Sequence, residues 1–135
     1  MKCISPRFKQ VIATDMSFNL FSRAWCVAEI HRGRQMRLSQ SMAMHSEASL
    51  REHEAKLRGM KVQEMKASNP DDVELILSQI SDLDAFNQEV QQLIFDTDGL
   101  VPTWCKGLEQ MSLLGEVARR GYVLSRHSCN APLCE

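Results

Sequence analysis

Trp25-Cys26-Val27-Ala28-Glu29 places an indole, a thiol and a carboxylate within five consecutive residues. On a helix, Trp25 and Cys26 stand four and three positions before Glu29 and share its face. A carboxylate beside an apolar wall can stabilise an oxocarbenium-like centre or orient ribose hydroxyls, given a concave and partly dry site around it. The same residues also have a structural reading. Glu29 pairs with Arg32 or Arg23 at the rim of a buried helix, Trp25 fills core, and Cys26 is a small buried hydrophobe.

Other chemistry-bearing types are thinly spread. His127, Cys129 and Cys134 offer three soft ligands within eight residues. A structural zinc site takes four at paired spacing, so no metal is expected. His31, His45 and His53 have no spacing partner and read as surface residues. There is no glycine-rich phosphate loop, Gly-x-Ser-x-Gly elbow, His-Glu-x-x-His helix or interleaved basic and aromatic stripe. Common hydrolase, nucleoside-triphosphatase and nucleic-acid readings fall away with them. Met36, Met42, Met44, Met60, Met65 and Met111 suit core filling or an adaptable binding surface.

The elements that must position these residues belong to one small domain of ordinary composition, with 135 residues of which 44% are apolar and 24% charged. That is enough apolar surface to offset chain ordering. A formal net charge of −1 supplies no field to draw the chain onto nucleic acid or anionic lipid. Local charge is lopsided: residues 31–66 carry eight Lys/Arg against four Asp/Glu, and residues 70–99 carry eight acids and no base. Pairing of the two segments within the fold is expected, with steering of a partner as the alternative. Five cysteines without a Cys-x-x-Cys pair, no signal-peptide core and no apolar run near the ~20 residues of a membrane span predict reduced thiols and a cytoplasmic location.

Along the chain, the β-branched run in Phe8–Thr14 predicts a buried strand, and Asp15–Asn19 a capping loop. Leu20–Arg32 is apolar over most of its circumference and reads as a buried helix stopped by Gly33. Met36–Met44 alternates in part and predicts a strand, with continued helix as the alternative. Ser46–Arg58 reads as a surface helix. Asn69-Pro70-Asp71-Asp72 supplies a cap, a first-turn proline and acids against the helix dipole. Val73, Ile76, Leu77 and Ile80 follow at helical spacing. Ser81-Asp82 caps a second helix with the stripe Phe86, Val90, Leu93 and Ile94. Asp96–Gly99 ends it, and Pro102 delays resumption. Leu108, Met111, Leu114, Gly115 and Ala118 predict one more amphipathic helix, ending near Gly121.

The Val11–Ile30 stretch resembles the fourth strand and following helix of TIR domains, which commonly carry Ser-x-Trp-Cys-x-x-Glu-Leu there. Trp25, Cys26 and Glu29 match, Ile30 replaces the leucine, and one extra residue separates Ser22 from Trp25. Phe18–Trp104 is also similar to a group of uncharacterised microbial-eukaryote proteins. That group shares the Ser-Arg-Ala-Trp-Cys helix and later blocks that correspond here to Lys66-Ala67-Ser68, Asp72, Ile76-Leu77 and Phe86-Asn87. The TIR resemblance implies an α/β, flavodoxin-like architecture that is incomplete here, with two short strands, four to five helices and a helix-rich C-terminal half. It divides the chain into a TIR-like partial domain (1–104), an amphipathic helix (105–121) and a flexible tail (122–135).

Two strands alone make no stable sheet, which suggests a start inside a larger fold or pairing with another chain. The resemblance implies an interaction or signalling module acting through a protein partner or self-association, without nucleic acid, membrane or cofactor. The alternative it implies is an NAD-cleaving hydrolase in which NAD is the substrate and Glu29 the catalytic carboxylate. Its motif residues are Ser22, Trp25 and Cys26.

Overall fold

A computed structural model describes the backbone of residues 8–128 and the side chains of residues 8–120. Cys3, Cys129 and Cys134 lie outside the described backbone, and the side chain of His127 outside the described side chains. The architecture is α/β. Two parallel strands, β1 (Lys9–Ala13) and β2 (Ser39–Ala43), pair residue for residue from Lys9↔Ser39 to Ala13↔Ala43. Helix α1 (Ala24–Gln35) connects them, giving a β-α-β unit. Helices α2 (Glu47–Arg58), α3 (Pro70–Ser78), α4 (Leu83–Phe95) and α5 (Leu100–Ser128) follow. The chain divides into two compact units, Met1–Trp104 and Cys105–Glu135.

Alternation on the strands decides which way the sheet faces. Ile12 and Met42 are register partners and both are buried on the inner face. Gln10 and Gln40, one pleat earlier, are paired on that face too, through a 2.7 Å hydrogen bond from Gln40 Nε2 to Gln10 Oε1. The opposite face, with Val11, Ala13, Ser41 and Ala43, is exposed.

Several elements depart from the sequence expectation. The helix expected from Leu20 begins at Ala24, because Asn19–Ser22 forms a tighter 3₁₀ turn. That turn is entered through Phe18, whose φ of 53° is left-handed. Such a conformation costs a non-glycine residue about 1–2 kcal/mol. The Phe18 ring is fully buried, which returns a comparable amount.

Gly33 does not stop α1. It lies inside the helix, and a Cβ there would stand 2.3 Å from Gln10 Oε1 and 2.9 Å from Gln40 Nε2. Its bareness lets α1 approach the glutamine pair. The helix ends instead in a Schellman turn: Leu38 N–H donates to Gly33 O at 3.0 Å and Arg37 N–H to Arg34 O at 2.9 Å. The left-handed residue that this turn requires is Arg37, with φ 56°.

The α3–α4 region follows its sequence closely. Asn69 Oδ1 accepts from Asp71 N–H, and Asp82 Oδ1 accepts from Ala85 N–H at 2.9 Å. Phe86, Val90, Leu93 and Ile94 are all buried. In α2 the helix is largely polar, but Leu50 and Leu57 are buried at i,i+7. Pro102 does not postpone α5. It sits in the first turn, where its missing N–H has no intrahelical partner to lose. The α5 backbone is helical through Ser128, past the end expected at Gly121 and into the segment expected to be a flexible tail. Among its residues 105–120, Leu108, Met111, Leu113, Leu114 and Val117 are exposed.

Candidate functional site

The start of α1 is held by backbone pairing rather than by a side-chain cap. Ala24 N–H donates to Lys66 O and Lys66 N–H donates to Ser22 O, both at 2.9 Å. The Ser22 hydroxyl donates to Asn19 O at 2.7 Å and closes the 3₁₀ turn. Ser22 is therefore joinery that sets the direction in which α1 leaves. Arg23 Nη2 reaches Ser68 Oγ at 3.5 Å, so the Ser-Arg-Ala and Lys-Ala-Ser blocks meet here. Asn87 ties in the third block. It accepts from Val62 N–H and donates to Gln63 Oε1, both at 2.9 Å.

With that entry direction set, α1 buries Ala24, Val27, Ile30 and His31. Trp25, expected in the core, falls beside this stripe and is 41% exposed. Cys26 is only half-buried. Glu29 is exposed, and among the described residues neither Arg23 nor Arg32 forms an ion pair with it.

Trp25 and Glu29 line one cleft of about 590 Å³, bounded by α1, the end of α3 and the start of α4. Arg32 from α1, Gln79 and Ile80 from the α3–α4 junction and Glu89 from α4 also line it. Cys26 and Ser22 do not, so the structure brings together two of the four motif residues.

His31, expected on the surface, is buried against Phe86, with ring centroids 4.4 Å apart. Its Nε2 donates to Glu89 Oε2 at 2.5 Å. This bond fixes one oxygen of a half-exposed carboxylate at the cleft wall. Sequence reasoning missed both partners. The spacing Ala24, Val27, His31 carried the signal, since i, i+3 and i+7 mark the buried face of a helix.

Charge at the cleft is negative on balance. Glu29, Asp82 and Glu89 line it against Arg32 and the His31 ring. The expected pairing of the basic and acidic segments is largely unrealised. Among the described residues the ion pairs are His31–Glu89, Arg51–Glu47 and Arg58–Glu54, and only the first joins the two segments. Among the described residues no group of three or more His, Cys, Asp or Glu is arranged to hold a metal ion. No helix among them is long and apolar enough to cross a membrane. No protein-family model, curated protein or solved structure matches this chain.

Proposed function

We propose that this chain is a TIR-like protein-interaction module that works by presenting an open parallel sheet to another protein or to a second copy of itself. The observation that carries this reading is the bare outer face of β1 and β2. Parallel strands are normally covered on both faces, and a sheet of two strands leaves one edge of each unpaired. Here α1 covers one face only. On the other, Val11 is 64% exposed among the small side chains of Ala13, Ser41 and Ala43. The β2 edge carries no charge, proline or bulge to discourage pairing. Cytoplasmic signalling is the setting that the Trp-Cys-x-x-Glu resemblance suggests.

Light scattering and crosslinking across a concentration series test this directly. Association is expected, and Val11→Glu or Ser41→Glu should abolish it with the circular dichroism spectrum unchanged. A monomer at every concentration that captures no other protein would end the reading.

A second reading has one observation in its favour: Glu29 and Trp25 line the same cleft. Under it, Glu29 acts on the nicotinamide–ribose bond of NAD. The three lining carboxylates work against it, because the NAD pyrophosphate is anionic and Arg32 is the only arginine or lysine of the lining. Nicotinamide release from NAD that disappears in Glu29→Ala would establish this activity. Its absence at high protein concentration would remove it.

A further inference from the structure

Three features converge on the α1/α3/α4 cleft. An indole forms part of its wall yet stays 41% exposed, which leaves an aromatic face without a partner. Glu29 lies one helical turn along the same helix, with no hydrogen bond or ion pair among the described residues. Across the cleft, His31 holds Glu89 Oε2 and leaves Oε1 available.

The surface around the cleft repeats its sign. Residues 70–99, which include α3 and α4, hold eight acids and no base. Among the described residues only Glu89 of these is paired with a basic side chain. Asp71 and Asp72 oppose the α3 dipole and Asp82 caps α4, so part of this charge serves the helices. Glu74, Asp84, Asp96 and Asp98 are exposed and have no such task.

We propose that this cleft docks an arginine-bearing basic segment of a partner protein, with the guanidinium over Trp25 and between Glu29 and Glu89. Planar guanidinium stacks on an indole and pairs with carboxylates through its forked N–H donors, which an ammonium does less well. Further basic residues of the segment would run along the acidic α3–α4 surface and raise the association rate. Arg32 at the rim opposes the guanidinium, and restricts it to the Trp25–Glu29–Glu89 side. The inference deepens the interaction-module reading by naming the chemistry of a partner, and it uses a surface separate from the bare sheet face.

The test is titration of the full ¹⁵N-labelled chain with an acetylated, amidated Gly-Arg-Arg-Gly peptide, with Gly-Lys-Lys-Gly and agmatine in parallel. Shifts are expected at the Trp25 indole N–H and at α3 and α4 amides, weakening with added salt. Glu29→Gln should weaken binding about tenfold, the equivalent of one lost pairing of about 1.4 kcal/mol. Trp25→Leu should weaken the arginine peptide more than the lysine peptide. An unchanged affinity in Glu29→Gln, or shifts confined to other faces, would overturn the proposal. So would agmatine binding as tightly as the peptide, which would make this a small-cation site. Val11→Glu should leave the titration unchanged, so failure here and failure of the sheet reading are separable.

Discussion

Gly33 shows how one missing methyl group organises the β-α-β unit. A Cβ there would press on Gln10 Oε1 and Gln40 Nε2, two ends of a hydrogen bond already clamped by Gln40 Nε2 donating to Ile30 O at 2.8 Å. Gly33→Ala should therefore destabilise the protein by about 1 kcal/mol, overpacking outweighing the gain in helix propensity. In a Gln10→Ala background the same substitution should be neutral or stabilising. A urea double-mutant cycle reads the difference, and additive costs would refute the clash.

Asp15 offers a pH test. Its carboxylate is held below the usual aspartate range by the N–H of Asn19, donating to Oδ1 at 2.8 Å, with the Asn19 amide and Lys56 adding to the effect. A lowered folded-state pKa means that the unfolded chain binds more protons in this window. The contribution is thus present above about pH 4 and is lost as pH falls through the folded value. Asp15→Asn should flatten the fall in urea midpoint below pH 4, and an identical acid profile would contradict the assignment. Neither contact was legible in the chain, because Gln10 and Gln40 are far apart along it and Asp15 showed only the composition of a loop.

Helix ends were legible where a side chain does the capping and illegible where tertiary structure does. Asn69 and Asp82 cap α3 and α4 as their spacing predicts. The start of α1 instead depends on Lys66, more than 40 residues away. At its other end the residue in the left-handed position is Arg37, not the glycine that local rules would supply. Arg37→Gly should raise stability by about 1 kcal/mol, relief of φ strain exceeding the added freedom of the unfolded chain. A shift of thermal midpoint in the opposite direction would show that the arginine side chain makes a compensating contact.

The buried hydrophobic core runs from Ile12 to Leu100, all within the first compact unit. A chain ending at Trp104 should accordingly unfold in one cooperative transition, with its midpoint within roughly 4 °C of the full chain, a shift worth about 1 kcal/mol at this size. Loss of cooperativity in calorimetry would place essential packing beyond Trp104. Hydrophobic spacing, caps and propensities were enough by themselves for the α/β class, the two strands and the α3–α4 pair, because these depend on neighbours within a few residues. Tertiary structure alone decided that Trp25 stands at a cleft and His31 in the core, that Glu29 has no arginine partner, and that one sheet face is bare. Each of these turns on a small rotation of α1, set by backbone bonds to a distant segment, and local periodicity carries no record of it.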